Sequence, residues 1–274
     1  MTSSFWDEQL AARYREFQYD FREKTLAGRT IVVAGGTGGL GAATVALLAR
    51  EGARLIVGYR SNRGRAEALR RAMREQFAQE IALVDGGLAD AAVRRRFLEA
   101  VKATGAPLAG AAIFSGDPAR VKFEALDREA LAASLEANYI GPVLLAKDLG
   151  SAIESAASEA SGSIVLLATM QAVAAFESSL NYAAPKAALV HAGRILARQW
   201  KNVRVNVVAP GATVVGMAEA SVSAGKYDAH ISGETIPRFG RPEDVARAVR
   251  FFLEPDNYIT GQVLVVDGGL TLRR

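Results

Sequence analysis

The chain has 274 residues, 50% hydrophobic and 23% charged, with 26 Gly and 8 Pro, a composition that excludes disordered and fibrous classes. Its 33 Lys+Arg against 29 Asp+Glu leave a formal net charge of +4, too small an excess to mark a nucleic-acid-binding surface. Cysteine is absent, which removes disulfides, thiol nucleophiles and thiolate metal sites, and the two histidines, His191 and His230, stand too far apart for a zinc motif.

In chain order, the N-terminal stretch mixes acids among its bases and has no continuous apolar core. It reads as neither a signal peptide nor a membrane span, so a cytoplasmic protein with no membrane partner is expected. Phe5, Leu10, Tyr14, Phe17 and Phe21 recur at spacings of three to five, which predicts an amphipathic helix within residues 5–27. That helix either packs on its own domain or serves an oligomeric or regulatory contact. Residues 1–27 are accordingly taken as a helical extension and 28–274 as the main domain.

Strands are predicted at Arg29 to Ala34, Arg54 to Tyr59, Ile81 to Val84, Leu108 to Phe114, Gly162 to Ala168, Val203 to Ala209 and Gln262 to Val266. Helix-length segments separate them, including Ala42 to Glu51 and a charged run from Arg63 to Gln79. This alternation predicts an α/β fold: a single-domain, Rossmann-like open parallel sheet with helices on both faces. Length alone would suggest roughly two domains, but no linker or internal repeat divides the chain. The least patterned stretch, Gly211 to Pro237, reads as either a substrate-covering lid or a passive surface loop.

Between the first predicted strand and helix lies Gly35-Gly36-Thr37-Gly38-Gly39-Leu40-Gly41. Glycines there permit a tight turn and let helix N-terminal amides face a pyrophosphate, which points to a dinucleotide. No Lys-Ser/Thr pair closes the turn, so Walker-type ATP chemistry is disfavoured. After the second strand, Tyr59-Arg60-Ser61-Asn62-Arg63 lacks the acid expected to hold the ribose hydroxyls of NAD. Arg60 or Arg63 would instead neutralise a 2'-phosphate, making NADP(H) the expected cofactor and NAD(H) the alternative.

Tyr182 and Lys186, four residues apart, suit either a surface helix pair or a proton-transfer pair in which a nearby ammonium stabilises phenolate. Pro185 between them fits a first helical turn better than an interior. Thr169, after Gly162 to Ala168, is either a loop residue or a hydroxyl directed at a substrate carbonyl. Asn138 is a cap, an internal polar contact or the holder of a relay water.

Taken together and in order, these segments closely resemble the classical short-chain dehydrogenases/reductases, from about Leu26 to Leu272. Ala34-Gly35, Gly39 and Gly41 match the family's TGxxxGxG turn with Ala replacing Thr; Thr169 occupies its serine position, thirteen residues before Tyr182; and Tyr182 and Lys186 match YxxxK. Asn138 matches the helix asparagine. Asn206 to Gly211 resembles the NxxxPG segment, Arg238 to Ala246 the RxGxPxDVA segment, and Ile259 to Gln262 with Asp267-Gly268-Gly269 the C-terminal signature. Three positions depart: Ile113-Phe114-Ser115-Gly116 stands for NNAG, Gly87 for an adenine-side Asp, and Val215 for a Thr near the nicotinamide.

The resemblance implies an NADP(H)-dependent enzyme reducing a carbonyl to a secondary alcohol, with 3-oxoacyl thioesters among the substrate classes. By the same resemblance Tyr182 is the general acid, Lys186 lowers its pKa and binds the nicotinamide ribose, Thr169 positions the carbonyl and Asn138 orders a relay water. Cofactor contacts fall on Gly35, Thr37, Gly38, Gly39, Leu40, Gly41, Arg60, Ser61, Ser115, Tyr182, Lys186, Pro210 and Gly211, with no metal. A homo-tetramer is implied, with a dimer as the alternative. A non-catalytic nucleotide-sensing or structural oligomer on the same fold is the competing expectation.

Overall fold

A computed structural model describes residues 7–19, 21–156, 162–177, 179–216, 219–225, 228 and 236–272. Seven strands form one sheet in the order β3-β2-β1-β4-β5-β6-β7, every neighbouring pair parallel. The strands are β1 (Thr30–Ala34), β2 (Arg54–Tyr59), β3 (Ile81–Asp85), β4 (Leu108–Ile113), β5 (Gly162–Leu167), β6 (Val203–Pro210) and β7 (Val263–Val266). Every predicted strand is present, with ends shifted by at most one residue.

Helices fill the crossovers: α2 (Gly39–Arg50), α3 (Arg63–Phe77), α4 (Ala91–Ala103), α5 (Arg128–Leu135), α6 (Gly141–Ser155), α7 (Leu180–Leu196) and α9 (Pro242–Leu253), with a short α8 (Glu219–Ser223) inside the weakly patterned segment. Alternation along β1 divides the core in two. Val32 and Ala34 face Phe97 of α4, Leu145 and Leu149 of α6 and Leu189 of α7. Ile31 and Val33 face Val45 and Leu48 of α2, Met73 of α3 and Val249 and Phe252 of α9. Helices therefore cover both faces, and all five residues of β1 are buried. A fully buried strand explains why β1 reads as a continuous apolar run rather than an alternating one.

The chain winds outward from β1 through β2 to β3, then returns to β4 on the other side of β1. That reversal opens a crevice at the carboxyl ends of β1 and β4, the position where open α/β sheets bind ligands.

The N-terminal segment differs from expectation. Its helix, α1 (Glu8–Arg15), ends after eight residues and buries none of its side chains. Phe17 at φ +58 breaks it, and Phe17 and Phe21 beyond it are exposed. The apolar spacing therefore marks a surface aromatic group, with Tyr14 stacked on Tyr19 at 6.0 Å, and not one continuous amphipathic helix. Phe5 lies outside the described residues.

Candidate active site

The glycine turn follows β1 directly. Gly35 has φ +75, and a Cβ there would lie 3.0 Å from both the Phe114 carbonyl carbon and the Ser115 nitrogen. A Cβ at Gly41 would collide with the Gly35 carbonyl oxygen. Helix α2 begins at Gly39, earlier than its apolar pattern, so two of the glycines sit in its first turn. Gly38 caps it without any side-chain hydrogen bond, which leaves the N-terminal amides and the positive end of the helix dipole for a ligand. This bare cradle fits a pyrophosphate.

A cavity of about 460 Å³ runs from this turn into the crevice. Gly35, Gly38, Gly39, Leu40 and Gly41 line one end. Thr169, Tyr182 and Lys186 line the other, and Pro210 with Gly211 forms part of the wall between them. Ten of the sequence-predicted positions thus meet on one cavity. Thr37, Arg60, Ser61 and Ser115 are not among its lining residues, and Asn138 stands behind the wall.

Residues of β5 and α7 position the polar end. Thr169 follows β5, is 8% exposed, and caps a short 3-10 turn by accepting from the Gln171 amide at 3.3 Å. Tyr182 lies in the first turn of α7 and lines the same cavity as Thr169. Burial pushes the Tyr182 phenol up to about 12, and the Thr169 hydroxyl pulls the other way. Lys186, 2% exposed, donates from Nζ to the Leu167 carbonyl at 2.9 Å and the Ser115 carbonyl at 3.4 Å. Burial brings its ammonium down to about 7. The expected lowering of Tyr182 by Lys186 is therefore not seen in this structure: desolvation dominates both groups, and the ammonium is turned to two backbone carbonyls.

Asn138 is fully buried in a π-helical turn (Glu136–Ile140) between α5 and α6. Its Oδ1 accepts from the Asp117 amide at 3.1 Å, and its Nδ2 donates to the Asp117 carbonyl at 3.0 Å and to Ser134 Oγ at 3.2 Å. Gly116 lets these groups approach: a Cβ there would stand 2.7 Å from Asn138 Oδ1 and 3.2 Å from Lys186 Nζ.

Pro185 lies inside α7 rather than in its first turn. Having no N–H, it cannot bond the carbonyl of Asn181 four residues earlier. Ser134 Oγ donates to that carbonyl instead, joining α5 to α7 and continuing into Asn138. Sequence reasoning missed Ser134, although its i,i+4 spacing to Asn138 and the proline vacancy were both readable.

The departures from the family pattern also have places. Phe114 lines the cavity beside the glycine turn. Val215 packs its side chain over Gly39, where a Cβ would meet Val215 Cγ2 at 2.7 Å. Thr213, 3% exposed and also missed, brings a hydroxyl to the same wall and donates to the Val215 carbonyl at 3.3 Å. Gly87 is exposed two residues past Asp85, the acid at the carboxyl end of β3, whose carboxylate is held by Arg96 and kept below its usual range.

Residues 34–271 match the family model described as Enoyl-(Acyl carrier protein) reductase. A 3-oxoacyl-[acyl-carrier-protein] reductase of Homo sapiens is 32% identical over 250 residues, covering 89% of this chain and 98% of that protein. A tropinone reductase homolog of Arabidopsis thaliana is 29% identical over 256 residues, covering 90% and 94%. The solved structure of a short-chain type dehydrogenase/reductase from Mycobacterium ulcerans superimposes with a TM-score of 0.83 at 25% identity, covering 91% of this chain and 92% of the other. The chain belongs to the short-chain dehydrogenase/reductase family, a family of NAD(P)H-dependent oxidoreductases acting on carbonyl and alcohol substrates. Among the described residues, no helix is long and apolar enough to cross a membrane.

Proposed function

We propose that the protein is an NADP(H)-dependent reductase that converts a carbonyl substrate to a secondary alcohol. The carrying observation is convergence: Thr169, Tyr182 and Lys186 line the same cavity as the bare glycine turn. The bound nicotinamide would supply the hydride. Tyr182 holds its proton at neutral pH and would donate it to the oxygen formed on reduction, with burial opposing that release. Thr169, which lines the same cavity as Tyr182, would orient the carbonyl by hydrogen bonding. Lys186 would hold the nicotinamide ribose. Asn138, clamped on Asp117 and Ser134, would order the proton path behind them.

The 2'-phosphate would fall to Arg60, with Ser61 and Thr37 beside it and Ser115 near the ribose. Similarity to 3-oxoacyl-[acyl-carrier-protein] reductases makes 3-oxoacyl thioesters the first substrate class to assay. The reading includes residues 1–27 as an extension outside the catalytic domain, a cytoplasmic location and a homo-tetramer, with a dimer as the alternative. Parallel fluorescence titrations with NADPH and NADH test it before any substrate is known. Saturable NADPH binding with weaker NADH binding is expected; binding of neither would favour a structural scaffold that has lost the cofactor.

A further inference from the structure

Arg60 makes an ion pair with Asp117 at 3.1 Å that the proton-transfer chemistry does not use. Arg60 follows β2 and Asp117 lies four residues past β4, the two strands that flank β1. The pair therefore joins the two sides of the crevice near the origin of the glycine turn. We propose that Asp117 is a specificity-determining residue for the cofactor: its carboxylate competes with the 2'-phosphate of NADP(H) for Arg60 and so sets the strength of the preference for NADP(H) over NAD(H). The inference rests on the NADP(H) reading above.

The two partners are unequally held. Asp117 is pinned through its backbone, with N–H and C=O both on Asn138, and through its side chain, where Oδ1 accepts from the Ala119 amide at 2.9 Å. Only Oδ2 is left for Arg60. Arg60, in contrast, carries a long side chain 69% exposed, with Asp117 as its described charged partner. The carboxylate is thus a fixed counter-charge and the guanidinium the group that changes hands. A phosphate outcompetes a single carboxylate oxygen in charge and in bidentate geometry, but it must first displace that oxygen. NADH carries no 2'-phosphate and has no need of Arg60, so the competition bears on NADPH alone.

Asp117→Asn tests this, because asparagine keeps an acceptor for the Ala119 amide and leaves the backbone bonds to Asn138 available while removing the charge. Fluorescence titration should give an NADPH Kd about three- to fivefold tighter, the scale of an exposed ion pair, with NADH unchanged. The gain should shrink at high salt and vanish in an Arg60→Ala background. Asp117→Ser, which also retains an acceptor, should shift the Kd ratio in the same direction and guards against a folding defect in the first variant. An unmoved ratio of NADPH to NADH affinity in these variants overturns the inference while leaving the cofactor reading intact. An equal gain in the Arg60→Ala background overturns competition in favour of direct repulsion. Binding of neither nucleotide by the unmodified protein overturns the cofactor reading and this inference with it.

Discussion

The buried and the exposed ends of the candidate site are built on opposite principles. At the buried end, Asn138, Thr169 and Lys186 are buried, and their polar atoms are engaged by Asp117, Gln171, Leu167 and Ser134 at fixed distances. At the exposed end, outside the cavity lining, Arg60 and Ser61 face solvent, and the side-chain contact of Arg60 is one surface ion pair. Burial gives the first end geometric definition and perturbed acidity; exposure leaves the second adjustable. Chemistry needs atoms held within tenths of an ångström, whereas recognition of a phosphate tolerates a mobile cation. The contrast can be broken or sharpened by substitution at each end.

The largest effect is expected at Tyr182. Removing its hydroxyl in Tyr182→Phe should lower kcat by about 10²- to 10⁴-fold, the range of a general acid, with NADPH binding retained. Wild-type turnover by this variant on a responsive carbonyl substrate would end the assignment. Asn138→Ala should act on stability as well. It strips partners from the Asp117 amide and carbonyl and from Ser134, and leaving such buried groups unpaired costs about 2–4 kcal/mol in all. A fall in Tm of roughly 3–7 °C should follow. Arg60→Ala, at the other end, should leave Tm almost unmoved, since an exposed ion pair contributes less than about 1 kcal/mol. Equal losses from the two substitutions would erase the contrast.

Gly116 stands where the two ends meet, and Gly116→Ala tests how tightly the buried end is set. The added methyl would press on Asn138 Oδ1 and Lys186 Nζ. Displacing those groups by a fraction of an ångström should lower kcat on the order of 10-fold with little change in NADPH Kd. At the exposed end, Arg60→Ala should weaken NADPH binding by about tenfold and leave NADH unchanged, as expected for one lost charge-assisted contact. A titration in which both nucleotides weaken together would show Arg60 to be structural.

Legibility followed the same division. The inner strands and the glycine turn could be read because a sheet covered on both faces demands continuous apolar runs there, and the turn demands glycine at Gly35 and Gly41 for close backbone approach. The family's ordered motifs brought Thr169, Tyr182 and Lys186 onto one cavity. What escaped depends on contacts between distant segments. Asp117 lies 57 residues from Arg60 and 21 from Asn138, and no local pattern announces that it bridges them. Ser134 and Pro185 form a complementary pair only once α5 and α7 are side by side. The short α1 failed expectation for a related reason: aromatic spacing alone does not make a helix when no surface is present to bury the ring faces.

The subtlest effect concerns Lys186 and the pH dependence of stability. Its folded pKa of about 7 lies below the ordinary lysine value of 10.5, so between these values the unfolded chain binds more protons than the folded one. Stability should therefore rise with pH across the window from 7 to 10.5, be complete above it, and be lost as pH falls toward 7. Tyr182 acts in the opposite sense, because its folded pKa of about 12 exceeds 10.0; its contribution is present below pH 10 and lost between 10 and 12. Of these two groups the lysine alone contributes a slope from pH 7.5 to 9.5, at most about 1.4 kcal/mol per pH unit. Thermal unfolding of the unmodified chain and of Lys186→Met across that interval isolates it. The difference in stability between the two should narrow or change sign in favour of the lysine protein as pH rises. Parallel curves would mean that the Lys186 ammonium keeps its charge when buried, stabilised by the Leu167 and Ser115 carbonyls that it faces, and the buried end would then hold a permanent cation beside Tyr182.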